Sequence, residues 1–307
     1  IVRRIRYSSA DRVTLADMSR NAVAVLASII SVAVAGLVAW LVSAESVERA
    51  GLPAVVWCVI AAFVVNWIVF IPSLINKTER FFDLTGSLTY ASVTILALIL
   101  GPNNEVTSFI MAGLIFIWAG RLGTFLFKRI QNDGGIDGRF NKIRANPVRL
   151  FETWTLQALW VSLTALAAWT AITSADEAPF GVLTVIGLIV WIIGFAIEVR
   201  ADGEKSTFKK DSANHGRFIS TGIWAWSRHP NYFGEITLWI GMALIALPAF
   251  DGREFAALVS PLFVILLLTK ISGLPALERR GLKRWGDDAD YQKYVKDVPV
   301  LIPRPPR

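Results

Sequence analysis

Residues 22–43 read AVAVLASIISVAVAGLVAWLVS, an apolar run without one charged side chain. A helix crossing the hydrocarbon core of a bilayer needs roughly 20 such residues at about 1.5 Å each. A helix on a soluble core would carry a polar face somewhere in that length. The pattern recurs at about 54–75, 84–100, 107–127, 150–173, 180–198, 231–249 and 255–273. Hydrocarbon offers backbone amides no partner, so each run must satisfy itself as a helix; a closed barrel would need short alternating strands instead. The reading is an all-α polytopic membrane helical bundle of about seven to eight spans, the third of them short.

Composition agrees. The 307 residues are 54% hydrophobic and only 18% charged, too little polar surface for a soluble domain of that size. No repeat or low-complexity stretch divides the chain, so a single integral membrane domain over 1–307 is expected. One cysteine, Cys58, and two histidines, His215 and His229, exclude a disulfide framework and a Cys- or His-rich metal cluster. Ile1 to Arg20 is mixed and basic, without a cleavable signal pattern.

Charge gives orientation. With eight spans, 29 of the 31 lysines and arginines fall on one side. They occupy the N-terminal segment (Arg3, Arg4, Arg6, Arg12, Arg20), the loops after spans two, four and six, and the tail from Lys270. The other side keeps Arg49 and Arg253 beside Glu45, Glu48, Glu105, Asp176, Glu177, Asp251 and Glu254. Basic loops stay cytoplasmic, so both termini are expected there. The +7 charge then has two readings: anionic membrane lipids as partners, or a polyanionic cytosolic ligand. Nucleic acid is set aside, because the cations lie at a membrane face and no nucleic-acid fold is visible.

Ionisable groups inside spans are costly and are functional candidates. Asp83, Ser87 and Tyr90 lie four and three apart, on one helix face. They form a proton relay to a buried substrate oxygen, or else Asp83 caps the third span while the hydroxyls bond neighbouring helices. Glu198 and Asp202, four apart at the end of span six, form either a holder of ribose and amide groups or an ion pair with nearby arginines.

The richest stretch is GRFISTGIWAWSRHPNYFGE, 216–235. Pro230 suits the first turn of a helix. The free N–H groups of that turn favour an anion, flanked by Arg228 and His229. Asn231, Glu235 and Trp239 follow at intervals of four along one face, and Gly234 permits close approach. The plainer reading is a basic interfacial loop with an aromatic belt of Trp224, Trp226 and Tyr232. Arg121, near the end of span four, reaches either lipid headgroups or a ligand phosphate. Glu278 to Tyr294 reads as one cytoplasmic helix, a surface helix or a lid.

Arg228-His229-Pro230-Asn231-Tyr232-Phe233-Gly234-Glu235, with an apolar hairpin and a tail carrying Tyr291, Tyr294, Val298, Ile302 and Pro303, resembles the steroid 5-alpha-reductase-like membrane reductases. The resemblance is best over about 191–303 and thinner, though collinear, from Phe81. Sterol reductases and isoprenylcysteine carboxyl methyltransferases share the arginine-histidine-proline signature. The resemblance implies NADPH as cofactor, with roles for Asp202, Lys209, Arg228, His229, Asn231, Tyr232 and Glu235, and further for Arg279, Arg280 and Tyr291. Arg121 looks like an arginine of the family's equivalent helix, and Glu198 joins Asp202 by the spacing above. The family's acid, a glutamate, is matched nearest by Asp83, and its tyrosine position by Trp118; Tyr90 is the substitute phenol. No glycine-rich dinucleotide fingerprint follows a strand; Gly134-Gly135 and Gly138 form a loop.

The expected function is an NADPH-dependent reductase acting on the conjugated double bond of a lipophilic small molecule, a steroid-like or isoprenoid enone. Asp83 or Tyr90 is its proton donor. The rivals are a membrane methyltransferase using S-adenosylmethionine and a non-catalytic lipid-binding or transport protein.

Overall fold

The computed structural model describes residues 9–102, 105–132, 140–141, 143–176 and 179–306. Arg3, Arg4, Arg6, Gly134, Gly135, Gly138, Arg139, Lys142, Glu177 and Arg307 lie outside the described residues. Every apolar run is a helix: α1 Ser9–Leu41, α2 Ala54–Ile75, α3 Phe82–Leu100, α4 Val106–Asn132, α5 Pro147–Thr173, α6 Val182–Lys210 and α7 Pro230–Ala246. An eighth passage follows, from a 3-10 segment Gly252–Leu258 through α8 Val259–Leu266 to a π turn at Leu267–Ile271. Among the described residues, eight helical segments are thus long and apolar enough to cross a membrane. The protein is an integral multi-pass membrane protein.

Among the described helices only α5 is enclosed on all sides. From Val161 to Ser174 every residue is buried, and α1, α2, α3, α7 and α8 pack around it. Its neighbours instead turn apolar faces outward, such as Val23, Leu26 and Ile30 of α1 or Ile186, Ile189 and Ile193 of α6. Those faces meet lipid. On the face without basic loops, α1 and α2 are joined by a two-residue hairpin, β1 Glu48–Arg49 against β2 Leu52–Pro53. Its central residues Ala50 and Gly51 have φ of 50° and 80°, as a tight hairpin turn requires.

The most extensive helix pair is α6 with α7, and glycine explains it. A Cβ at Gly234 would stand 2.6 Å from the Gly194 carbonyl oxygen and 2.7 Å from Glu198 N. One at Gly241 would stand 2.6 Å from Trp191 N and 2.7 Å from the Gly187 oxygen. Glycines seven apart on each antiparallel helix therefore let backbone touch backbone, which dispersion and close approach reward where water does not drive packing. This seam sets how far the polar residues of α6 stand from those of α7.

Two expectations need correction. Helices α4 and α6 run on past the apolar stretch, to Asn132 and Lys210, because their polar ends lie on the basic face where solvent satisfies them. The tail is not one helix from Glu278 to Tyr294. It is α9 Leu274–Trp285 and α10 Ala289–Asp297, broken at Gly286 and restarted by the Asp288 carboxylate, which accepts from Asp290 N at 2.8 Å and Tyr291 N at 3.2 Å. That is an N-cap. Beyond α10 the chain folds back: Arg228 N donates to Pro299 O at 2.9 Å, and Ser227 Oγ to Leu301 O at 2.8 Å.

Candidate functional site

Three layers of polar chemistry lie between the basic face and the interior. The middle one is organised by Arg121 of α4. Its Nη1 donates to Glu198 Oε1 at 2.6 Å, and its Nη2 is bonded to the Asp202 carboxylate. A guanidinium fork can serve two acceptors at once, and the spacing of four puts both carboxylates on one α6 face. Asn231 Nδ2 of α7 donates to Asp202 Oδ1 at 3.4 Å. Trp118 Nε1, one turn before Arg121, donates to Glu198 Oε2 at 3.2 Å. Glu235 faces the same three charges. Glu198 and Asp202 are thus ion-paired with Arg121, whose guanidinium turns to α6.

The outer layer is the start of α7. Pro230 occupies its first position, with His229 as the residue before it. The cation and imidazole beside this helix start are met by the protein's own carboxylate. Glu278 of α9 accepts from Arg228 Nη1 at 2.5 Å and pairs with His229 Nε2 at 2.7 Å. Tyr232 stacks on His229 with ring centroids 5.8 Å apart, and a Cβ at Gly273 would meet Tyr232 at 2.7 Å. Arg228 Nε is buried with no acceptor among the described residues. Tyr291 belongs to an aromatic cluster with Phe218, Trp285 and Tyr294. Burial pushes the Tyr291 and Tyr294 phenols upward, and the Tyr294 hydroxyl donates to Trp224 O at 2.8 Å. Trp224 is buried, its indole N–H bonded to Ala201 O at 3.0 Å, so it is not part of an interfacial belt; Trp226 is exposed.

The inner layer lies deeper. Tyr90 is buried and packs edge-on to Trp118, centroids 5.1 Å apart, while Trp118 packs edge-on to Trp239 at 5.0 Å. Trp118 thus belongs to two layers: its N–H holds Glu198 and its ring holds Tyr90.

Structure separates the expected relay. Asp83 sits in the first turn of α3, where it pairs with Arg129 at 3.5 Å. Seven residues of helix put Tyr90 about 10 Å further in. Phe81, not Asp83, precedes the helix, and no side chain caps it. Ser87 lines an outward groove of about 420 Å³ between α3 and α4, with Gly120 and Gly123. Asp83 and Tyr90 therefore do not share a site. Lys209, Arg279 and Arg280 are exposed and join neither cluster.

Sequence reasoning missed Glu278. Its signal was present: it is the sole acid in LPALERRGLKRW, 274–285, amid four cations. Trp118 was noted only as a departure from the tyrosine, and its hydrogen bond to Glu198 could not be read from spacing.

The site spans α3 to α10, and so does the region that comparison with known proteins picks out. A family model described as "protein of unknown function (DUF1295)" matches residues 67–298. The chain belongs to the DUF1295 family. One relative of this DUF1295 chain is an uncharacterized protein, C594.04c, of Schizosaccharomyces pombe, 28% identical over 161 residues. That match covers 44% of the chain and 47% of the yeast protein, about half its length. No solved structure matches.

Proposed function

We propose that this chain is an NADPH-dependent membrane reductase that saturates the conjugated double bond of a lipophilic enone. One observation carries the reading. Trp118 ties a charged and amide-bearing network on the basic, cytoplasmic side (Arg121, Glu198, Asp202, Asn231) to a buried phenol, Tyr90. A reductase of this kind needs both halves adjacent: a cofactor holder and a hydrogen-bond donor for the substrate oxygen. The arginine-histidine-proline signature and its family resemblance support the same assignment.

The residues present fit such a cofactor. Arg228 Nε is a buried donor without an acceptor among the described residues. Lys209, Arg279 and Arg280 are exposed cations with no ion pair among the described residues. These four would meet phosphates, with Asn231, Asp202 and Glu198 against ribose or amide groups, and His229, Tyr232, Glu235 and Tyr291 shaping the surrounding wall. When bound, the nicotinamide would supply a hydride to the β-carbon of the enone. Tyr90 would donate its hydroxyl proton to the carbonyl oxygen, where charge grows as the hydride arrives, giving the enol; the enol tautomerises to the saturated ketone by proton exchange with water, which also returns a proton to Tyr90. A dry aromatic surround strengthens that contact. Asp83, spent on Arg129 at the surface, is left as a structural ion pair.

A second reading is methyl transfer from S-adenosylmethionine to a lipid. Arg121 and Arg228 are both already matched by carboxylates, which favours a cofactor without phosphates. Titrating the detergent-purified protein with NADPH and with S-adenosylmethionine separates the two. NADPH should bind, and Arg228→Ala should weaken it about 10- to 100-fold, the value of a charge-assisted contact. Tight binding of S-adenosylmethionine alone overturns the proposal.

A further inference from the structure

Helices α3 and α4 touch at one level and part at another. A Cβ at Gly123 would stand 2.5 Å from Ser87 Oγ and 2.6 Å from Ser87 Cβ, so almost no side chain separates the helices there. Beside that contact lies the outward furrow of about 420 Å³, lined by the small residues Ala91, Ala119 and Gly120 and by Leu88, Ile95 and Phe116. The last three are exposed, and a Cβ at Gly120 would meet nothing within 4 Å. Its two hydroxyls turn back onto their own helices, Ser87 Oγ to Asp83 O at 3.5 Å and Thr124 Oγ1 to Gly120 O at 2.7 Å. The furrow therefore offers apolar surface to the hydrocarbon around it. It is also separate from the layered polar site. Tyr90 and Trp118 stand one residue, about 100° of helix, before Ala91 and Ala119, and both are buried.

The cytoplasmic mouth of the furrow decides what fills it. Gly120, Thr124 and Lys128 follow at intervals of four on the outward face of α4. Arg80 Nη2 donates to Gln131 Oε1 at 2.7 Å, which sets Arg80 at the same end of α4. Arg129 pairs with Asp83 at 3.5 Å, while Glu79 is buried and turned to Arg144 at 3.3 Å. Among the described residues the mouth thus holds three exposed cations, Arg80, Lys128 and Arg129, against the carboxylate of Asp83. An apolar furrow that ends at cations on the cytoplasmic surface is complementary to an acyl chain beneath an anionic headgroup. A helix of a second copy, about 10 Å across, would bridge the furrow and leave its floor without the contacts that a chain supplies.

We infer that the α3–α4 furrow binds one acyl chain of an anionic phospholipid, whose phosphate rests on Lys128, Arg80 and Arg129. The bound lipid spans both helices and holds α3 against α4. Hydrocarbon is as apolar outside the furrow as within it, so the headgroup supplies the selectivity. Each lysine or arginine near the surface favours an anionic lipid about fivefold. Three cations against one carboxylate leave two, a preference of roughly 25-fold over a zwitterionic lipid with the same chains. The inference stands whether or not the chain is a reductase.

Native mass spectrometry tests it. The detergent-purified chain is titrated with an equimolar mixture of dioleoyl phosphatidylglycerol and dioleoyl phosphatidylcholine, and the first lipid bound is identified. Phosphatidylglycerol should lead by roughly 25-fold. Lys128→Gln, a surface change that leaves the core intact, should cut that preference about fivefold, and adding Arg80→Gln should nearly abolish it. Gly120→Leu should weaken both lipids by filling the furrow, and thermal melting checks that it folds. Two controls should alter neither lipid: Lys283→Gln, an exposed cation of α9, and Gly36→Leu, an exposed glycine of α1 with nothing within 4 Å of an added Cβ. Equal binding of the two lipids overturns the site. So does a preference that Lys283→Gln lowers as much as Lys128→Gln, or lipid binding that folded Gly120→Leu leaves intact. Displacement by glycerol 3-phosphate at the lipid's concentration would mark a soluble-phosphate site. A dimer that Gly120→Leu splits would mark a contact between copies, and either result also overturns the inference.

Discussion

Replacing Gly234 by alanine puts one methyl group into the α6–α7 seam. Its carbon would stand 2.6 Å from the Gly194 oxygen, 2.7 Å from Glu198 N and 3.0 Å from Glu198 Cβ. Ordinary contact begins near 3.4 Å, so the shortfall is about 0.8 Å, and two of the three obstacles are backbone. Helix α6 must therefore move as a body, since packed interiors do not deform locally. Overpacking of this kind costs about 1–3 kcal/mol. The shift also falls one turn from Asp202 and at Glu198 itself, so the 2.6 Å bond to Arg121 is disturbed with the seam. Gly203→Ala is the control: it lies in the same helix, exposed, with nothing within 4 Å of an added Cβ. There the methyl only improves helix propensity, by up to about 1 kcal/mol. Thermal unfolding in one detergent should thus move in opposite directions for the two variants. NADPH affinity should fall for Gly234→Ala alone. Equal melting temperatures, or a more stable Gly234→Ala, would refute the claim that backbone contact at this glycine sets the site.

Other consequences are simpler to state. Arg121→Lys keeps the charge but loses the fork that spans Glu198 and Asp202; a loss of about 2–4 kcal/mol in chemical denaturation is expected, and wild-type stability would contradict it. The tail is held partly by buried phenols pushed upward by burial. A group whose folded pKa is raised contributes stability below its unfolded value, about 10 for tyrosine, and loses it as pH rises further. Trypsin should therefore cut α9–α10 faster above pH about 10, and Tyr294→Phe should blunt that dependence while giving up its bond to Trp224.

How much of this was legible in the chain depended on whether the physics was one-dimensional. Hydrocarbon forces an apolar run of span length into a helix whatever surrounds it, so residues 22–43 and the seven later runs could be read directly. Spacing of four likewise put Glu198 beside Asp202, and Asn231 in line with Glu235 and Trp239, because helical periodicity needs no partner. Pro230 marked its helix start for the same reason.

Pairing across helices was a different matter. Asp83 and Tyr90 share a helix face, yet about 10 Å of rise and the competing cation Arg129 part them, and neither quantity appears in a spacing rule. Arg121 reads as a group facing lipid or phosphate, but its side chain reaches across to two carboxylates of α6. Glu278 was one acid in a basic helix until α9 folded back onto Arg228 and His229. Apolar length and helical period are properties of a segment and belong to the sequence. Which arginine meets which carboxylate depends on how α3, α4, α6 and α9 are brought together, and only the packed bundle decides that.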